Sequence, residues 1–255
     1  MPLDFLSRLP LPEYRAALTV GVLVGVTLSL WVGRRHGLPV LFVLDGALAA
    51  AVGGLLLGRL AYVAAHLAYF REHPTAALAL WQGGLSAPGV VVGGVAGAGG
   101  LARIRRRAPD PLWNALAPGA AVILIAAYLS CLRAGCACGR ETWPADGVLW
   151  ALSAELPDLY GLRAPRVVVP ALGMGWGALM LALTLWATRR ARTAGGRPAS
   201  GSFSLWLALY GLGEFALGFL RGDIALRVGG LSALQWAGLG ILVAGITLGF
   251  LTTDR

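Results

Sequence analysis

Residues 41–67 read LFVLDGALAAAVGGLLLGRLAYVAAHL, an apolar run broken by only two charges, Asp45 and Arg59. About 20 predominantly apolar residues suffice to carry a helix across a hydrocarbon core, so this stretch predicts a transmembrane helix. Working outward, runs of similar character lie at Ala16–Gly33, Ala77–Leu101, Leu112–Leu132, Val167–Thr188, Phe203–Leu220 and Leu231–Leu251. Together with Leu41–Leu67 they predict an all-α membrane protein with about seven transmembrane helices. Of the 255 residues, 57% are hydrophobic and 13% charged, and the mean hydropathy is +0.72, outside the balance of a soluble domain. No stretch reads as a soluble domain, so residues 1–255 are expected to form one integral membrane domain. The 37 glycines fit this reading, because small residues let helix backbones approach closely in lipid.

The formal charge of +9 raises the possibility of nucleic acid as a partner. The basic residues are all Arg, however, and their clusters fall between apolar runs, which is the placement of membrane topology. Alternate connectors carry Arg34 and Arg35, then Arg103, Arg105, Arg106 and Arg107, then Arg189, Arg190, Arg192 and Arg197. By the positive-inside rule these are cytoplasmic, which puts the N-terminus out and the C-terminus in. The opposite connectors mix Arg71, Arg133, Arg140, Arg163, Arg166, Arg221 and Arg227 with acids. Residues Met1 to Tyr14 lack the basic start and apolar core of a cleavable signal, so the first run is expected to remain as an anchor.

Ionisable residues inside spans are costly and usually face the protein interior, which makes Arg59 and Glu214 site candidates, and Asp45 a weaker one that marks the end of a span. His66 and His73 read as solvated interfacial residues or as an acid or base. Cys131, Cys136 and Cys138 cluster at the end of the fourth run. Three readings stand open: a disulfide with one thiol left over, a metal site lacking a nearby His, or helix-end packing by small residues. Gly83, Gly84, Gly89, Gly93 and Gly94 open the third run without Walker spacing. They predict an irregular, Gly-rich third span, broken beside a cavity where backbone N–H groups meet a lipid headgroup. The connector from Arg133 to Arg166 is the longest, and within it Trp150–Leu156 reads as a short interfacial helix.

Several segments in order resemble the prolipoprotein diacylglyceryl transferase family. They are Tyr14 ahead of the first span, Gly58-Arg59-Leu60-Ala61-Tyr62, and Ala79-Leu80-Trp81-Gln82-Gly83-Gly84-Leu85-Ser86-Ala87-Pro88-Gly89, which resembles the family's iW-x-GGlS-x-HG. Cys131 through Pro144 is similar to the GCF-x-x-GCC-x-G-x-x-T-x-x-P form of divergent members, and Tyr210 through Asp223 to a helix ending RF-x-x-E-F-x-R-x-D. The resemblance implies a multi-pass protein of the bacterial plasma membrane that needs no metal or organic cofactor. Its partners would be a phosphatidylglycerol-like phospholipid and a lipoprotein precursor peptide. The implied reaction is attack of a lipoprotein cysteine thiolate on the glycerol carbon that bears the phosphoglycerol group.

The resemblance assigns Arg133, Glu141 and Glu214 as catalytic candidates. Arg59, Arg140 and Arg221, with Gly84, Gly89 and Tyr14, would hold lipid and phosphate, and Cys131, Cys136 and Cys138 would be structural. Departures accompany the matches. The family's His aligns with Pro88, an Arg with Tyr128, a second Arg with Glu214 and a Glu with Gly218, while a shifted register places the first Arg at Arg133 and a Glu at Glu141. The alternative expectation is a catalytically degenerate lipid-binding or accessory protein of the same fold. A transporter ranks below both, for want of an internal repeat.

Overall fold

The computed structural model describes residues 13–158, 160–193, 201–223 and 227–253. Most of the stretch read for a signal, residues 1–12, and Arg197 of the third arginine cluster lie outside the described residues. The long helices are α1 (Tyr14–Arg35), α2 (Val40–Ala65), α4 (Ala87–Ile104), α5 (Asp110–Ala134), α7 (Val169–Thr193), α8 (Gly201–Gly218) and α9 (Ala233–Thr253); α3 (Leu67–Glu72) and α6 (Val148–Ala151) are short. Among the described residues, six stretches are long and apolar enough to cross a membrane: Tyr14–Arg35, Val40–Ala65, Ala87–Ile104, Asp110–Leu132, Val169–Arg190 and Ala233–Leu251. The chain is therefore a multi-pass membrane protein. Helix α8, with the acid Glu214 among its apolar residues, falls outside the six.

Two compact units divide the chain. In the unit made of Ser29–Leu116, α2 packs along α4, and the glycines explain how closely. Gly89, Gly93 and Gly97 recur every fourth residue on α4, the small-xxx-small spacing of tight helix contacts in lipid. A Cβ on Gly93 would overlap the Gly53 carbonyl oxygen, one on Gly97 the Ala49 carbonyl, and one on Gly89 would stand 2.8 Å from the Leu57 oxygen. At the other end Phe42, Ala98, Ala102 and Leu112 form a buried cluster. Asp45 there pairs with Arg105 at 3.1 Å, both half-exposed, so Asp45 marks a helix end.

The third span differs from its sequence expectation. Residues 74–82 form two 3₁₀ turns, and the continuous helix begins only at Ala87, with Pro88 in its first turn. Proline fits there because the first-turn N–H has no intrahelical acceptor. The irregularity thus precedes the helix instead of breaking it, and Gly89, Gly93 and Gly97 inside α4 face α2.

The other unit holds residues 1–28 and Ala117–Arg255. Within it α8 packs on α9, where a Cβ on Gly211 would overlap the Leu242 backbone and one on Gly245 the Ala208 backbone. Helix α7 meets α8 where Gly213 gives way to Trp176, whose indole N–H donates to the Leu209 carbonyl at 2.9 Å. The connector after α5 is a small β cap. β1 (Ser153–Pro157) pairs antiparallel with β2 (Arg163–Val167), so of the interfacial helix expected at Trp150–Leu156 only the single turn Val148–Ala151 exists. From Ser153 onward the chain finds ladder partners in β2, which outcompete a further helical turn. A second hairpin joins β3 (Arg227–Val228) to β4 (Leu231–Ser232) ahead of α9.

Candidate active site

The segment after α5 is drawn into the cap by main-chain bonds on both edges. Gly139 bridges Arg221 and Glu141 bridges Arg166; the Arg140 N–H donates to the Leu220 carbonyl at 2.9 Å, and the Gly222 N–H to the Cys138 carbonyl at 2.9 Å. Gly139 and Gly222 are required by closeness: a Cβ on the first would overlap the Val167 carbonyl, and one on the second would stand 2.8 Å from the Gly139 oxygen. This ladder fixes residues 138–142 beside the turn that follows α8. Cys131 and Cys136 form a disulfide across the end of α5, and Cys138 is a buried free thiol. Burial pushes that thiol above its ordinary pKa, Asp223 adds to the effect and Arg166 opposes it.

Next to this cap lies a buried polar cluster. Glu214 on α8 is 6% exposed, and the Tyr128 hydroxyl of α5 donates to its Oε1 at 3.4 Å. Tyr210, one turn earlier on α8 and also buried, is a further neighbour of that carboxylate, and the charges acting on it are Arg221 and Asp223. Arg221 donates from Nε to Asp223 Oδ1 at 2.9 Å and from Nη2 to Oδ2 at 2.7 Å. Burial works against the Arg221 charge, but the Asp223 hydrogen bonds and charge outweigh it and hold the guanidinium above its ordinary range. Tyr128 and Glu214, which one register of the resemblance sets against arginines, are therefore in contact with each other. Gly218 has its own cause: a Cβ there would lie 2.5 Å from Gln235 Cγ on α9, so a side chain at this position requires Gln235 to move.

A second ionic group sits in the cap. Arg166, its side chain 10% exposed, contacts Glu141 Oε1 at 2.8 Å and Asp158 Oδ2 at 3.3 Å. Sequence reading misses Arg166, Asp158 and Asp223 as site residues, since the first two are drawn together only by the cap and Arg166 reads from the sequence simply as a topology charge. The signal for Asp223 was present, two residues beyond Arg221.

The remaining candidates divide clearly. Arg140 is exposed; Tyr14 is exposed and offers its carbonyl to the Ser130 hydroxyl at 3.2 Å. The Arg133 side chain lies outside the described residues. In the other unit Arg59 is buried and gives its N–H groups to main-chain oxygens: Nε to Ala77 at 2.9 Å, Nη1 to Gly83 at 2.5 Å and Gly84 at 2.9 Å, and Nη2 to Ala76 at 2.6 Å and Ala79 at 3.4 Å. Gly84, with φ of +80°, could not carry a Cβ without one standing 2.8 Å from Arg59 Nη1. Gly89 is a helix-contact glycine on α4.

A multi-pass helical membrane protein with a buried carboxylate and an arginine–carboxylate pair beneath a small β cap is the class that fold and site define. The sequence pattern of the prolipoprotein diacylglyceryl transferase family matches residues 3–251, and the chain belongs to that family. It is 31% identical over 252 residues to phosphatidylglycerol–prolipoprotein diacylglyceryl transferase 1 of Streptomyces coelicolor, covering 94% of this chain and 69% of that relative. It is 29% identical over 249 residues to the enzyme of Corynebacterium efficiens, covering 89% and 73%. To transferase 2 of Clostridium perfringens it is 23% identical over 242 residues, covering 92% and 89%.

Proposed function

We propose that this chain transfers a diacylglyceryl group from a phosphatidylglycerol-like lipid to the cysteine thiol of a lipoprotein precursor, through a site altered at positions the family uses for charge. The observation that carries the reading is the buried Tyr128–Glu214 pair next to Arg221–Asp223, in the segment with the family pattern. In the reaction the thiol loses its proton to Glu214, the sulfur bonds to the glycerol carbon, and the carbon–oxygen bond to phosphate breaks. Its electron pair leaves on the glycerol phosphate. Arg221, whose Nε and Nη2 are held by Asp223, offers Nη1 to a phosphate oxygen, and exposed Arg140 adds a second cation. Glu141, paired with Arg166, shapes the entrance for the peptide. No cofactor takes part in these steps.

The setting is the plasma membrane of a bacterium, with α8 as a seventh span, the chain forming one membrane domain with its N-terminus out. The test is transfer of radiolabelled diacylglycerol from phosphatidylglycerol to a lipobox peptide by the purified protein. Slow transfer that Glu214→Gln lowers by about 10²-fold or more is expected, the usual worth of a positioned proton acceptor. Saturable lipid binding with no transfer above the blank favours instead a lipid-binding accessory protein, a reading supported by Pro88 in place of the family's His and Glu214 in place of its Arg. Transfer untouched by Glu214→Gln would remove Glu214 from the mechanism.

A further inference from the structure

The chain between α2 and α4 presents an apolar surface that no helix of its own unit covers. Residues Leu67, Tyr69, Leu78, Leu80, Trp81 and Leu85 are all exposed, Leu78 by 81% and Trp81 by 80%. Polar residues of the same segment, Arg71, Glu72, His73 and Thr75, are exposed as well, so the segment is amphipathic. We propose that residues 67–85 form an arm lying in the interfacial layer of the bilayer, fastened to α2 by Arg59.

Position argues for the bilayer as the occupant of this surface. The arm starts two residues after the end of α2 and finishes two before the start of α4, both helices apolar enough to span, which ties it to the membrane surface at each end. Its apolar side continues the lipid-facing side of α2, where Leu56 and Leu60 are 59% and 61% exposed. Trp and Tyr favour the headgroup level, where an apolar ring and a polar atom are both accommodated. Burying Leu78 in the acyl boundary removes apolar area from water, which is favourable. The charged and hydroxyl-bearing residues keep the segment in the interface instead of crossing it.

The fastening is Arg59. A buried guanidinium near the end of a span is costly unless its donors are met. Here five hydrogen bonds run to carbonyls of Ala76, Ala77, Ala79, Gly83 and Gly84, spread along the arm. Phe70, 7% exposed, seats the other half of the arm against Tyr62 with ring centroids 6.1 Å apart and lies 5.4 Å from the guanidinium carbon. Arg59 is thus a positioning residue: it ties five carbonyls of the arm to α2, those of Ala76 and Ala79 in addition to the 3₁₀ bonds they already accept, and fixes which side of the arm faces outward.

Spin labels report depth directly. In a Cys138→Ser background, with Cys131 and Cys136 paired, single cysteines replace Leu78, Trp81 or Arg71. The labelled protein is placed one copy per nanodisc of phosphatidylethanolamine and phosphatidylglycerol, so that a second copy cannot cover the arm. Collision with oxygen relative to a water-soluble nickel complex is expected to be several-fold higher at Leu78→Cys and Trp81→Cys than at Arg71→Cys. Adding Arg59→Gln is expected to erase that contrast, and Arg59→Lys, whose point charge cannot reach carbonyls so far apart, to reduce it; the Lys variant decides where the Gln variant does not fold. Nickel-dominated collision at residues 78 and 81 with Arg59 intact overturns the arm. A contrast unchanged in either folded Arg59 variant overturns the fastening.

Discussion

Tyr128 and Glu214 show how two substitutions become one local arrangement. In one register of the resemblance each stands against an arginine, and the side chains meet at 3.4 Å, a phenol donating to a carboxylate. The position of each could be read from the chain, but their contact could not, because α5 and α8 are distant in sequence. Arg59 was legible as a buried charge that needs partners, whereas its partners, five main-chain oxygens, have no side-chain identity for a sequence to display. The cysteines carry a prediction at this scale. The acceptor thiol of the reaction belongs to the substrate, so Cys131 and Cys136 act on the fold alone. Closing so short a loop contributes about 2 kcal/mol by restricting the unfolded chain. Replacing both with Ser should lower thermal stability in detergent while leaving transfer or lipid binding within a few-fold, as measured on folded protein; loss of activity with the fold intact would give the pair a chemical role.

Helix contacts in this protein are made by absent side chains, and the period of the glycines already carried that information. What the glycine count did not show was where α4 begins, since Gly83 and Gly84, at φ of +83° and +80°, belong to the turn before it. The hairpin of β1 and β2 was hidden for a related reason: a strand is stabilised by its ladder partner, and Trp150–Leu156 read alone has the apolar spacing of an interfacial helix. The crossing of α2 and α4 gives a contrast of two glycines on one helix. Gly93→Val would force a side chain into the Gly53 carbonyl and should cost about 1–3 kcal/mol, as overpacking does. Gly100→Ala meets nothing within 4 Å and should be neutral or slightly stabilising. Thermal unfolding of the two variants in the same detergent checks this, and equal midpoints would mean that the crossing is looser than the glycines require.

Across the whole chain, the alternation of arginine clusters predicts an orientation that can be tested apart from any chemistry. A cysteine at Arg105 in the Cys138→Ser background should react with a membrane-impermeant maleimide only after the cells are opened; labelling of intact cells would reverse the topology. The apolar runs made the membrane fold legible, because bilayer thickness imposes a length that a sequence must display. The site was legible only in part, since it is assembled from segments that meet through the cap. The central claim is that the chain keeps the family's fold and chemistry with a site too altered for the standard task. By the resemblance, Pro88 stands against an imidazole, Glu214 against an arginine and Gly218, hemmed in by Gln235, against a carboxylate. Loss of one preorganised charge-stabilising group typically costs about 10²–10³ in rate, so three losses that are even partly independent leave little. The most direct measurement is growth of bacteria depleted of their own prolipoprotein diacylglyceryl transferase and supplied with this chain, with its presence in the membrane verified. The account predicts no recovery where a standard family member restores growth; full recovery from the unmodified chain would contradict it and show that Tyr128, Glu214 and their neighbours rebuild an efficient active site.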